Sequence, residues 1–159
     1  MKYARLTKEQ LEEMHTEFIT FLSTQGIDAK EWADLKANKS AIAEQEIDLF
    51  SDLVWEKVLN TVQYLEHFSP QQIFLFKIEE RQMSLIGIKL ENETINLATR
   101  EGYKWLQKHL LDDDVTLYKS TKAIVEDRNT DIFALIKQGS NITKGELYEY
   151  FAKIVNKKE

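Results

Sequence analysis

The chain has 159 residues, of which 43% are hydrophobic and 30% are charged, and its net charge at pH 7 is −6. This length and composition are typical of one folded domain, so we expect a single domain over residues 1–159. Cysteine is absent, which excludes disulfides, thiolate catalysis and cysteine-ligated metals. The negative charge argues against nucleic acid as the main partner, because phosphate binding needs concentrated Lys and Arg.

The apolar runs of the sequence are short. The longest, residues 73–76 and 85–88, fall far below the roughly 20 residues that a membrane-spanning helix needs. The N-terminal segment MKYARLTKEQ has no apolar signal-peptide core. We therefore expect a cytoplasmic protein that does not enter a membrane.

Three helices are expected in the N-terminal part of the chain. Capping patterns that begin at Thr7 and Asp28 predict the starts of the first two helices, which end at Gly26 and near residue 38. The third predicted helix is long and central. It covers residues 40–68, because this stretch has no Gly or Pro before the Ser-Pro pair that ends it.

The long third helix is apolar on more than one side. Its main stripe, which includes Phe50 and Val54, should face the protein's own core, and Ile42, Leu49 and Leu53 widen that stripe. A helix of this kind needs more than one element to pack against.

Trp55 and Leu59 lie one turn apart on another side of this helix. Two such side chains are costly to leave in water, and Trp is over-represented among interface hot spots. We therefore predict that Trp55 and Leu59 form a contact surface for another protein or for a second copy of the chain. The alternative is that the N-terminal helices cover this side and bury the pair within the monomer.

Strands and helices are mixed in the remainder of the chain. Four strands are predicted from alternating apolar residues and polar turns, at residues 72–79, 82–90, 94–97 and 115–121. Three helices are predicted at residues 100–111, 128–138 and 144–156. The fold class is α+β in the order αααβββαβαα, with a small, mainly antiparallel four-stranded sheet and helices after the third and fourth strands.

This order contains the α-β-β-β-α-β topology of the restriction-endonuclease-like nucleases. An active member of that superfamily needs strand carboxylates beside a Lys to hold Mg²⁺. Here Lys77 and Lys89 are preceded, two residues earlier, by Leu75 and Gly87. A degenerate, inactive relative is therefore all that this topology can suggest.

The acidic residues offer one further site for chemistry. Asp112, Asp113 and Asp114 follow a predicted helix and can face a hard cation or a Lys or Arg of a partner. The alternative is a solvated turn. Glu46 lies inside the apolar arc of the long helix, where a buried carboxylate can act as an acid or base, but no partner for it is visible. We predict no catalytic residue, metal site or cofactor.

Several segments carry a resemblance to a known family: RLTKEQLEE, DLFSDLVWE, YLEHFS, EDRNTDIF and ITKGELYEYF. Over nearly its whole length the chain resembles a family of small bacterial proteins known only as a domain of unknown function. The resemblance implies a soluble bacterial protein, and it assigns no catalytic residue.

The expected function is a non-catalytic cytosolic interaction module, such as an adaptor, a regulator or a subunit of an assembly. Its partner is another protein or the chain itself. The alternative is a small metal-dependent or hydrolytic enzyme that uses the acidic run from Asp112 to Asp114, or Glu46.

Overall fold

The computed structural model describes the backbone of residues 1–158 and the side chains of residues 1–156. The helices are α1 (Lys8–Glu13), α2 (His15–Thr24), α3 (Ala29–Asn38), α4 (Ser40–Thr61), α5 (Arg100–Lys108), α6 (Arg128–Lys137) and α7 (Glu146–Lys158). The strands are β1 (Tyr64–Phe68), β2 (Gln72–Ile78), β3 (Gln82–Leu90), β4 (Val115–Ala123) and β5 (Asn141–Thr143). The predicted α+β class is confirmed. None of the described helices has both the length and the apolar character needed to cross a membrane.

The chain divides into two compact units, Met1–Asn60 and Thr61–Glu159. The first unit is helical and the second contains the sheet. This division describes packing along the chain, and the single domain expected from the sequence stays a prediction.

The first unit begins with the predicted caps. The Thr7 hydroxyl accepts from the backbone N–H of Gln10 at 3.2 Å, and the Gln10 side chain accepts from the N–H of Thr7 at 2.9 Å. Asp28 caps α3 with its side chain, which accepts from the backbone N–H of Glu31 at 2.8 Å. The predicted first helix is divided at Met14, whose φ of −99° and ψ of 26° leave the helical region.

Aromatic rings fill the core of the first unit. The Phe18 ring lies 5.0 Å from that of Phe50 and 5.2 Å from that of Trp32, the latter edge-on. Leu6 and Leu22 are buried in the same cluster. Edge-on and tilted ring pairs of this kind add about 0.5–1.5 kcal/mol each beyond their burial.

The predicted long helix ends early, and its last part is a strand. α4 stops at Thr61, and Tyr64–Phe68 forms β1, which pairs antiparallel with β2 and with β5. The prediction of helix for these residues was wrong. Their apolar residues are spaced so that they fit the 3.6-residue period of a helix as well as the two-residue period of a strand. Pairing with β2 and β5 gives the backbone N–H and C=O groups of this segment their hydrogen bonds and buries Leu65. Both partner strands lie later in the chain, so the local spacing of apolar residues does not reveal this pairing.

The predicted strand at residues 94–97 is also wrong. Side chains of two asparagines take the backbone hydrogen bonds there: Asn92 Oδ1 accepts from the N–H of Thr94 at 3.0 Å, and Asn96 Oδ1 accepts from the N–H of Ala98 at 2.9 Å. Such Asx turns compete with a ladder. The sheet therefore has five strands among the described residues instead of four, with β1 and β5 unpredicted.

The strands lie in the order β4-β3-β2-β1-β5, and every neighbouring pair is antiparallel. One face of the sheet, which carries Leu75 and Ile86, packs into a cluster with Leu106 of α5 and Phe151 of α7. We call this the helix-covered face. On the opposite face the Tyr118 ring lies over Gly87, where a Cβ would overlap it, so this position needs a residue without a side chain.

Candidate functional site

The aspartate run lies in the turn between α5 and β4. All three side chains are exposed, and the backbone carbonyl oxygens of Asp112 and Asp114 accept from the N–H groups of Val115 at 3.0 Å and Glu91 at 2.9 Å. Within the described part of the chain, no group of three or more His, Asp or Glu residues is placed to hold a metal ion. A role for Asp112, Asp113 and Asp114 toward a cation or partner stays a prediction.

Glu46, the other acidic candidate, is half-buried on α4. Its Oε2 atom is buried and has no hydrogen-bond partner among the described residues. A buried carboxylate needs a second group to become an acid–base pair, so Glu46 alone does not assemble a catalytic site.

The predicted contact pair is largely inside the molecule. Leu59 is 0% exposed, and Trp55 is half-buried beside the aromatic cluster of the first unit. The pair therefore offers a partner little surface in the folded chain. Its role in binding stays a prediction, which the cost of truncating Leu59 tests.

We expect Leu59→Ala to lower the free energy of unfolding by about 2–5 kcal/mol, because it leaves a cavity at a completely buried position. Urea denaturation followed by circular dichroism measures this. Leu53→Ala on the same helix is the control, since Leu53 is 57% exposed and should change stability by no more than about 0.5 kcal/mol. Equal losses for the two variants would contradict the core assignment of Leu59.

An apolar stripe on α4 is exposed instead. Ile42, Leu49 and Leu53 are 43%, 52% and 57% exposed, respectively, and their spacing of seven and four residues puts them on one side of the helix. We call these three residues the α4 stripe. The expectation that Ile42, Leu49 and Leu53 widen the stripe that faces the core was wrong. A helical wheel shows which residues form the apolar arc, but it does not show which edge of that arc another element covers.

The acidic edge beside the α4 stripe is held by the N-terminal segment. Asp48 accepts from Arg5 Nε at 2.6 Å, and Asp52 accepts from the backbone N–H groups of Lys2 at 2.7 Å and Tyr3 at 2.9 Å. The hydrogen bond from Arg5 holds the pKa of Asp48 below its ordinary value. Exposed pairs of this kind contribute little individually, but together they fix the segment along the helix.

In the second unit, a cluster of titratable groups joins α7 to the sheet. The Tyr64 hydroxyl donates to Glu149 Oε1 at 2.7 Å, and Lys77 Nζ lies 3.2 Å from the same oxygen. These two contacts lower the pKa of Glu149. The Lys77 ammonium also lies 6.0 Å from the centroid of the Tyr148 ring, within the range of a cation–π contact. The Oε1 atom of Glu149 thus has two partners, a hydroxyl and an ammonium group.

Glu66, two residues from Tyr64 on β1, has the opposite environment. It is half-buried, and its side chain has no hydrogen bond or ion pair within residues 1–156, whose side chains the structure describes. Burial raises the pKa of its carboxyl group. Glu66 lines a pocket of about 280 Å³ together with Thr143, Lys144, Glu146 and Leu147. We call this the Glu66 pocket.

Sequence reasoning missed Glu66 because it assigned residues 40–68 to one helix. A signal was present: in the segment YLEHF, a period of two puts Glu66 on the same side as Tyr64 and Phe68. A lone carboxylate on an aromatic strand face is unusual, since Glu is almost never buried unless it is paired.

The raised pKa of Glu66 gives a pH-dependent prediction. The folded chain binds this proton more tightly than the unfolded chain, so the group stabilises the fold at low pH. That stability is lost as pH rises from the ordinary glutamate value through the folded value. Glu66→Gln should therefore raise the melting temperature at pH 7, and the gain should shrink as pH falls to about 4, near the ordinary glutamate pKa.

Thermal melts of the two proteins across this pH range make the comparison. Glu93→Gln, a matched change at an exposed loop position, should show no such trend. A Glu66→Gln variant that is less stable than the parent at pH 7 would mean that the carboxylate has a stabilising partner.

These observations define a class: an α+β protein with a helical unit that exposes an apolar stripe and a sheet unit that carries an acidic pocket. The chain belongs to a family of unknown function, DUF6495, which matches residues 1–156. This confirms the resemblance to a domain of unknown function. No curated protein matches the chain, and no solved structure does.

Proposed function

We propose that this chain is a non-catalytic protein-interaction module of the bacterial cytoplasm and that its contact surface is the α4 stripe. The observation that supports this is the exposure of Ile42, Leu49 and Leu53 on one side of one helix. Single exposed apolar residues are ordinary, but an aligned set marks an interaction surface.

The partner that fits this surface is an amphipathic helix of another protein. The stripe extends from Ile42 to Leu53, a rise of roughly 16 Å along the helix axis at 1.5 Å per residue. A helix laid along it can present apolar residues at spacings of three, four and seven. Such a helix packs its ridges into the grooves of α4 at about 8–10 Å between axes.

Charge favours another protein over a second copy of this chain. The flank of the stripe carries Asp48, Asp52 and Glu56, and each copy has a net charge of −6. Two copies would bring these acidic edges together, which opposes association, whereas a helix with basic flanks is attracted. Lys2 and Arg5 offset part of the acidic edge, so we expect a moderate salt dependence.

The enzymatic alternative has less support. It depends on acidic residues converging on a reacting group, but Asp112, Asp113 and Asp114 are solvent-exposed in a turn. Glu46 has no partner among the described residues that would make it an acid–base pair.

The test uses a photoreactive residue. Leu49 is replaced by p-benzoylphenylalanine in the full chain, which is expressed in its native cell and irradiated, and the cross-linked segment is identified by mass spectrometry. We expect the cross-link to lie in an amphipathic, basic helix of another protein. The double change Leu49→Glu with Leu53→Glu should abolish capture of that protein without unfolding the chain, since both positions are exposed.

Leu111, which is 84% exposed, supplies the matched controls. A photoreactive residue there should not give the same cross-link, and Leu111→Glu should leave capture intact. Cross-linking from Leu49 only to a second copy of this chain, or capture that survives the double change, would contradict the proposal.

A further inference from the structure

Strand β1 places Glu66 under the helices. Glu66 lies directly opposite Leu75 of β2 in the sheet, and directly opposite residues share a face. Leu75 belongs to the core cluster of the helix-covered face, so the Glu66 side chain points toward the layer of α5 and α7. Because β1 is hydrogen-bonded to a strand on each side, its register is fixed, and the Glu66 side chain stays on the helix-covered face.

The Glu66 carboxylate is partly shielded from water but has no opposite charge beside it among the described residues. Glu149, on the same side of the sheet unit, receives Tyr64 and Lys77, whereas Glu66 receives neither a donor nor a cation from the described residues. Burying an ionised carboxylate without a partner is costly. A ligand that brings a positive group offsets part of that cost on binding.

The Glu66 pocket makes the carboxylate reachable from outside. Its volume of about 280 Å³ is near the lower limit of small-molecule sites, which run from roughly 300 to 1,000 Å³, and it suits a group the size of one side chain. Glu146 adds a second carboxylate and Leu147 an apolar wall, while Lys144 is the one cation among the described residues that line the pocket.

Two aromatic side chains, Tyr103 and Phe68, pack against the core cluster on the same side of the sheet as Glu66. Burial is the main cause that raises the pKa of Tyr103, and the charges of Tyr150 and Glu66 raise it further. The Tyr103 ring in turn lies 6.2 Å from that of Phe68. An apolar surface beside a carboxylate suits a positive group carried on an alkyl chain, because each part of the ligand meets its complement.

We propose that the Glu66 pocket binds a primary ammonium group carried on an alkyl chain, with Glu66 as its charge partner and Leu147 against the chain. Two sources present this chemistry, a lysine side chain of a peptide and a free alkylamine. Lys144 is exposed at the rim and opposes the incoming charge. The site lies in the sheet unit and uses no residue of the α4 stripe.

The experiment is an NMR titration of the ¹⁵N-labelled full chain at pH 7 and constant ionic strength. The probes are acetyl-Gly-Lys-Gly-amide, n-butylamine and the uncharged acetyl-Gly-norleucine-Gly-amide. We expect saturable shifts in β1 and in residues 143–147 with the first two probes and none with the third. Tighter binding of the peptide assigns a lysine side chain as the source, and tighter binding of butylamine assigns a free amine.

The variants fix the role of each charge. Glu66→Gln should weaken binding at least tenfold, Lys144→Gln should strengthen it, and Glu93→Gln should leave it unchanged. In the parent protein, binding should also be lost at low pH as the Glu66 carboxyl protonates, which tests the same charge without a substitution.

Three outcomes would overturn the proposal: shifts scattered over the surface without saturation, equal binding of the norleucine peptide, or binding that Glu66→Gln does not weaken. Binding seen only in Lys144→Gln would also overturn it, because the pocket would then be occupied by the chain's own lysine.

Discussion

The pairing of β1 on both of its edges is the constraint on which the sheet unit depends. Leu65 lies opposite Phe76 of β2 on one side and opposite Ile142 of β5 on the other. Without β1, the short strand β5 would have no neighbour in the sheet. Because α7 follows β5 almost at once, the same pairing places the start of α7 beside Glu66 and so forms the pocket.

The two units use charge differently. In the helical unit, acidic side chains on α4 are engaged by Arg5 and by the backbone of the N-terminal segment, while the apolar residues of the α4 stripe are exposed. In the sheet unit, Glu149 is engaged by Tyr64 and Lys77 while Glu66 is not. One carboxylate of this unit therefore joins α7 to the sheet, whereas the other has no partner among the described residues.

Local chemistry made much of the fold predictable from the sequence. The caps at Thr7 and Asp28 are set by residues three positions apart, and they are present as expected. Strands β2 and β3 were placed correctly because both are strongly apolar and are joined by a short polar turn. These features depend on near neighbours in the chain, so periodicity and capping rules are sufficient for them.

The errors came from distant contacts. The sequence of β1 fits a helix as well as a strand, and only its pairing with β2 and β5 selects the strand. The exposed side of α4 likewise depends on which elements pack against that helix. The candidate site followed the same pattern. Trp55 and Leu59 were chosen for their size, although Leu59 is completely buried, and Glu66 was hidden inside a predicted helix. Whether such a residue is buried or exposed is decided by contacts between segments that are distant in the chain. The local sequence does not specify those contacts.

Measuring the pKa of the Glu66 carboxyl group shows whether β1 holds this group half-buried and without a partner. The carboxyl carbons of glutamate can be labelled with ¹³C, and the Glu66 signal, assigned by its absence in Glu66→Gln, can be followed from pH 3 to pH 8. We predict a pKa above the ordinary glutamate value, roughly 4.3, because β1 holds the group half-buried without a partner. A pKa at or below that value would show that the carboxylate is solvated or already paired, and the Glu66 pocket would then lack its unpartnered charge.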